Sequence, residues 1–216
     1  MKQARPIIPP KAREKVVKRH ETGFKQVALY YLDRKLIGHR SWDDQGRLAV
    51  EYAIRNNLMH GPFRGYHSNG TLSWVTQFVD GKEHGMSRQY DQNGNLIGTY
   101  RMKHGTGVDL WYSAPGELSE ERHLRDGKWE GFERWWNTNH TVWEETHFKG
   151  GVEHGIKRAW NSRGRLRRGF PQFLIRGMKV TKQKYLRACK QDSSLPLYRT
   201  EDDNPKRTPP KLRKAC

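Results

Sequence analysis

A period constrains this chain more than any other feature. An aromatic residue leads to a glycine-bearing turn and then to a leucine or valine, and the pattern returns at a nearly fixed step. Trp42 leads to Gly46 and Leu48, Tyr66 to Gly70 and Leu72, and Tyr90 to Gly94 and Leu96. Tyr112 leads to Gly116 and Leu118, Trp136 to His140 and Val142, and Trp160 to Gly164 and Leu166. Successive aromatics are 24, 24, 22, 24 and 24 residues apart. Self-similarity on this scale marks one supersecondary unit stacked many times.

A second turn repeats in step with the first. It reads "DGKEHG" at 80–85, "DGKWEG" at 126–131 and "GGVEHG" at 150–155, with degenerate copies "NNLMHG" at 56–61 and "MKHGTG" at 102–107. "DRKLIG" at 33–38 opens an incomplete first unit. The closing residues Gly61, Gly85, Gly107, Gly131 and Gly155 suit tight turns, which need positive φ. Asn139 is expected to take the positive φ where His140 replaces glycine. Each unit then holds two short strands with period-two alternation. Leu48, Val50, Tyr52 and Ile54 are expected on one face of the longer strand, and Met86, Arg88 and Tyr90 on one face of the shorter, apolar residues to a common side.

The predicted fold is all-β: an elongated, twisted antiparallel meander of about five and a half repeats, with a short C-terminal capping helix and flexible basic tails. A thin sheet accounts for a hydrophobic fraction of 34% and a mean hydropathy of -1.03, while 11% aromatics argue against a fully disordered chain. Thr181 is a good N-cap, and Tyr185, Ala188 and Cys189 share one helical face. The expected divisions are 1–23, a basic flexible segment whose stretch 11–20 has helical potential; 24–169, the repeats; 170–190, a closing hairpin around Gly177 and the helix; and 191–216, a basic, Pro-rich flexible tail.

The net charge of +18 sits mostly at the ends. Residues 1–23 carry +5 and 165–216 carry +11, leaving +2 for the body. Two cysteines, Cys189 and Cys216, make no disulfide framework or zinc motif. There is no apolar signal region and no run long enough for a transmembrane segment. A cytoplasmic location is expected.

The unit D/N-G-K-x-x-G-x-x-x-x-Y/W-x-x-x-G-x-L resembles the MORN-repeat variant, the bacterial version of the membrane occupation and recognition nexus repeat. The resemblance covers about residues 28–166. It implies a non-enzymatic binding or scaffold module without cofactor; some bacterial members are classed as antitoxins or immunity proteins, and eukaryotic relatives are linked to membrane lipids. It carries no catalytic residue over, and the chain shows no GxSxG, HExxH, P-loop or Rossmann fingerprint.

Two groups stand out as candidate binding residues. Arg40, Arg64, Arg88, Arg134 and Arg158 each lie two residues before a repeat aromatic; Leu110 alone breaks the column. A ridge of guanidinium groups about 10 Å apart would bind phosphates or an acidic protein surface. Alternatively, each arginine stacks on the next aromatic and pairs with a glutamate such as Glu51, Glu144 or Glu145. Trp111 and Trp135 are expected on the face opposite Trp136, as partner-binding anchors or under a folded-back tail. His60, His84 and His154, one repeat or more apart, are too far apart to share a metal. The partner expected first is a protein bound across one sheet face; nucleic acid or anionic lipid, held by the basic tails, is the alternative.

Overall fold

The computed structural model describes residues 6–210; Cys216 lies outside them. It is an all-β antiparallel meander of 17 strands with one short C-terminal α-helix. The chain divides into two compact units. The first runs through Ile97 and takes in Arg101–His104; the second holds Gly98–Tyr100 and the described residues from Gly105 onward.

In the first unit the strands are β1 (Arg13–Arg19), β2 (Lys25–Leu32), β3 (Lys35–Trp42), β4 (Leu48–Arg55), β5 (Leu58–Tyr66), β6 (Leu72–Val79), β7 (Lys82–Glu83) and β8 (Gly85–Tyr90). From β2 to β7 each pairs antiparallel with its predecessor, and β6 also pairs with β8, so that β7 and β8 are one strand interrupted at His84. The strand β9 (Leu96–Lys103) contributes residues to both units. In the second unit follow β10 (Thr106–Ala114), β11 (Glu117–Arg125), β12 (Lys128–Trp136), β13 (Val142–Lys149), β14 (Val152–Glu153), β15 (Gly155–Ala159), β16 (Gln172–Ile175), β17 (Met178–Val180) and α1 (Lys182–Ala188).

The turn that opens each "DGKEHG"-type motif is a two-residue hairpin with both residues at positive φ, for instance Asp80 at 47° and Gly81 at 81°. That conformation matches the right-handed twist of the flanking strands. The glycine that closes each motif lies beyond the turn, where strand register slips: Tyr52 faces Phe63 but Ile54 faces Met59, with Gly61 between. These are bulge glycines. At Gly155, with φ 144°, a Cβ would stand 2.8 Å from His147 Cβ. In the other turn His140 itself takes φ 61°, not Asn139. Asn139 instead uses its side-chain carbonyl to accept from the backbone N–H of Thr141 at 3.1 Å.

A second slip precedes the aromatic of most repeats, between Ser41 and Trp42, Gly65 and Tyr66, Trp111 and Tyr112, and Trp135 and Trp136. One extra residue on the facing strand reverses its alternation. Leu48 therefore pairs with Trp42 on one face, while Val50 and Tyr52 pair with Ser41 and His39 on the other. The expectation of a single apolar side fails for this reason. The chain builds two faces, one with the repeat aromatics and arginines and one with a second aromatic row.

Both ends are more ordered than composition suggests. Residues 13–19 form β1, and Glu14 accepts from the Tyr30 hydroxyl at 2.6 Å. An available strand edge outweighs weak helical propensity there. Ile8 packs on Ala28 and Tyr30 in a small core cluster. At the other end Thr181 caps α1, accepting from Lys184 N at 3.2 Å. The helix buries Tyr185 against Ile156, Phe173 and Leu195, with Ile175 and Val180 packed beside them. Residues 191–210 continue from the helix and are not a free tail.

Candidate functional site

Cross-strand register places the arginine column in alternation with carboxylates. Arg40, Glu51, Arg64, Val75 and Arg88 are successive neighbours in the first unit. Leu110, Glu121, Arg134, Glu145 and Arg158 are the equivalents in the second. Glu51 holds Arg40 at 3.0 Å and Arg64 at 3.4 Å. Arg134 lies between Glu121 at 3.3 Å and Glu145 at 2.8 Å. Arg158 bonds Glu145 at 3.3 Å and Asp203 at 3.1 Å. Glu51, Glu121 and Glu145 are 4%, 2% and 1% exposed, so the pairing happens largely out of water, where unpaired charge is costly. Burial pushes the Glu145 carboxyl up, but Arg207 and Arg134 together hold it below its ordinary range.

Four members of the predicted ridge are thus committed internally. Stacking differs from expectation: Arg40 lies over Tyr30 at 5.2 Å and Arg134 over Phe132 at 4.3 Å, not over Trp42 or Trp136. Arg88 is different. It is exposed, faces Val75 where the equivalent positions 51, 121 and 145 have glutamate, and makes no ion pair or side-chain hydrogen bond among the described residues.

The opposite face carries aromatics in the first unit, with His39, Tyr52, Phe63 and Trp74 ring centroids successively 4.6, 5.0 and 4.8 Å apart. Gly65 leaves room for the Trp74 ring; a Cβ there would meet it at 2.3 Å. In the second unit the equivalent strand positions alternate tryptophan with glutamate: Trp111 faces Glu120, Glu120 faces Trp135, and Trp135 faces Glu144. The structure places Trp111 and Trp135 opposite the Trp136 face, as their parity predicts. Trp143, in the adjacent bulge, is 36% exposed and its ring lies 5.8 Å from that of Trp135. Glu133 lies one row along, beside Arg122 and Thr146. Burial, then Glu120, pushes Glu133 above its ordinary range; burial and, more weakly, Asp109 do the same to Glu120 against the pull of Arg122. The sequence pattern singles out Trp111 and Trp135 but not the glutamates that alternate with them, although Glu120 and Glu144 stand one 24-residue step apart, which is the signal that finds them.

The histidines before the bulge glycines serve the turns. Nδ1 of His60, His84 and His154 accepts the backbone N–H of Asp80 at 3.3 Å, His104 at 3.3 Å and Arg176 at 3.1 Å, each in the next turn along. Thr106 and Glu130 do the same for Asp126 and Gly150. Because Nδ1 of His154 is an acceptor, its proton sits on Nε2, which points at Ser194 Oγ at 3.2 Å and Asp192 at 3.3 Å. That tautomer cannot take a proton from Ser194, so the Ser–His–Asp grouping is a clasp on the C-terminal segment. No group of His, Cys, Asp and Glu with metal-holding geometry occurs among the described residues, and no helix there is long and apolar enough to cross a membrane.

No family model matches the chain, and no curated protein matches it. Among solved structures it is similar to a mutant of TarM from S. aureus crystallised with fondaparinux, alpha-GlcNAc-glycerol and UDP. That likeness has a TM-score of 0.25 and 12% identity, covers 43% of this chain and 20% of that one, and carries no inference about activity.

Proposed function

We propose that the chain is a non-enzymatic repeat scaffold that binds another protein through the tryptophan–glutamate face of its second unit. The observation that carries this reading is the row Trp111, Glu120, Trp135 and Glu144 with the exposed Trp143 beside it. Partly exposed tryptophans are efficient interface anchors. Glu120 and Glu144 each meet a cation, Arg122 at 3.5 Å and Lys157 at 3.4 Å, while burial and Glu120 push the neighbouring Glu133 upward; a basic segment laid across the row would add cations to it while stacking on the indoles. An antitoxin or immunity role remains a sub-case of this reading, supported by the resemblance of the repeat to MORN variants. A nuclease toxin is a poor fit for the basic ends, since its basic surface is usually met by an acidic inhibitor, but the sheet face, in a body that carries only +2, can still take one. A cytoplasmic location accords with the free thiol of Cys189.

The adaptor reading, in which arginines and tails hold nucleic acid or acidic lipid, loses support because Arg40, Arg64, Arg134 and Arg158 are paired with carboxylates. Affinity capture from native lysate, with and without nuclease, separates the two. A protein that survives nuclease on the wild-type chain and is lost from Trp135→Ala supports the protein-binding face. Loss of all captured material on nuclease treatment, or undiminished capture by Trp135→Ala, overturns it.

A further inference from the structure

The second unit shows what the arginine face accepts. The segment after α1 lies across Arg158 and Trp160: Arg158 Nε donates to Asp203 Oδ1 at 3.1 Å and Trp160 Nε1 donates to the Asp203 carbonyl at 2.6 Å. Tyr198 donates its hydroxyl to Asp203 Oδ2 at 2.6 Å. Four positions on, Arg207 reaches Glu145 with Nε at 3.0 Å and Nη2 at 3.1 Å. This strap therefore reads two rungs of the ladder, an arginine with an acid and a glutamate with a base.

At Arg88 and Tyr90 the first unit repeats the same surface without a strap contact among the described residues. Arg88 and Tyr90 occupy the positions of Arg158 and Trp160, and Val75 pairs with Arg88 as Glu145 pairs with Arg158. Val75 is flanked by Arg64 on one side and Arg88 on the other, so this stretch of the ladder has two cations and no carboxylate in its middle rung. Arg88 has swung out to solvent, whereas Arg158 is 4% exposed.

We propose that Arg88 and Tyr90 form a docking slot for an extended acidic segment of a partner protein, bound as Asp203 is bound at Arg158. A carboxylate pairs with the guanidinium in the geometry that the fold already uses once. Val75 sets the second half of the specificity. Where Glu145 requires Arg207, Val75 takes an apolar side chain, so the segment carries Asp or Glu with an apolar residue four positions on. The slot shares no residue with the tryptophan row and does not depend on it.

The test is a fluorescence-anisotropy titration of the full chain with a labelled peptide copying residues 198–207 and carrying Arg207→Leu. Binding should weaken on the order of tenfold or more in Arg88→Gln. Val75→Glu should weaken it similarly, because its carboxylate fills the slot from within, and a melting temperature no lower than wild type separates that loss from unfolding. The peptide with Asp203→Asn should bind as poorly. Trp135→Ala should bind the peptide like wild type, which separates failure here from failure of the tryptophan face. Equal affinity in Arg88→Gln, or undiminished binding of the Asp203→Asn peptide, overturns the slot. Displacement by inorganic phosphate or a short oligonucleotide at lower concentration than unlabelled peptide would make it a phosphate site, and self-association abolished by Arg88→Gln would give it to a second copy; either overturns the assignment to a partner protein.

Discussion

Replacing Glu145 with glutamine should be among the most damaging conservative changes available in this chain. Glu145 is 1% exposed and receives three guanidinium groups, from Arg134 at 2.8 Å, Arg207 at 3.0 Å and Arg158 at 3.3 Å. Glutamine keeps the shape but removes the charge, and its amide nitrogen turns donors toward donors. Leaving a buried charge without its partner costs about 3–5 kcal/mol. Two features hold the cost to the lower end of that range: Arg207 can rotate out to water, and Arg158 keeps Asp203. We expect about 3 kcal/mol. Glu51→Gln is the internal control. Its arginines, Arg40 and Arg64, are 29% and 15% exposed on their side chains, so water replaces part of what is lost and the cost should be about 1–2 kcal/mol. Urea unfolding followed by tryptophan fluorescence, read as midpoint shifts at constant m, measures both. A loss below about 1 kcal/mol for Glu145→Gln, or equal losses at the two sites, would refute the idea that burial of the ladder sets its worth.

Other outcomes follow from the same geometry. Val75→Glu should raise the melting temperature, because the new carboxylate meets Arg64 and Arg88; the gain for such partly exposed pairs is about 0.5–1 kcal/mol, and a lowered melting temperature would contradict it. Gly155→Ala should cost more than about 1 kcal/mol by the same urea assay, since φ there is 144° and the added carbon meets His147 at 2.8 Å. Glu145 titrates below its unfolded value, so its stabilisation is present above the unfolded pKa of about 4.3 and is lost as pH falls through the lower folded value; the acid limb of a stability–pH curve should therefore be shallower in Glu145→Gln. Glu133 has the opposite sign. Its folded pKa is raised by burial and by Glu120, so its charged form opposes folding at neutral pH; Glu133→Gln should stabilise the chain at pH 7, with the advantage vanishing as pH falls toward about 4.3.

The repeat was legible because hairpin turns and aromatic pairs each demand specific residues at fixed spacing, and the aromatic-to-leucine step of Trp42 and Leu48 or Tyr66 and Leu72 is a true cross-strand pair. The faces were harder. A bulge adds one residue without any marker of its own, since Ala49 or Ser73 looks like ordinary strand, and a single added residue inverts everything after it. The arginine column was visible, but its meaning depended on Glu51, Glu121 and Glu145, which lie on the next strand at an offset of 11 residues from Arg40, Leu110 and Arg134. Lining up the repeats on the turns as well as on the aromatics exposes that second column and the valine that interrupts it at Val75. The strap was least legible. Its contacts come from Tyr198, Asp203 and Arg207, scattered through a Pro-rich basic stretch whose composition suggests solvation, and the partners Arg158 and Glu145 of Asp203 and Arg207 sit more than 40 residues away in sequence.

The protein-binding claim is met most directly by following the indole N–H signals of the 8 tryptophans in a two-dimensional NMR spectrum as the captured partner is added. The account predicts that the signals of Trp111, Trp135 and Trp143 move or broaden together, while that of Trp160, locked on the Asp203 carbonyl at 2.6 Å, stays in place. Movement of Trp160 with no change at Trp135 and Trp143 would put the partner on the other face and contradict it.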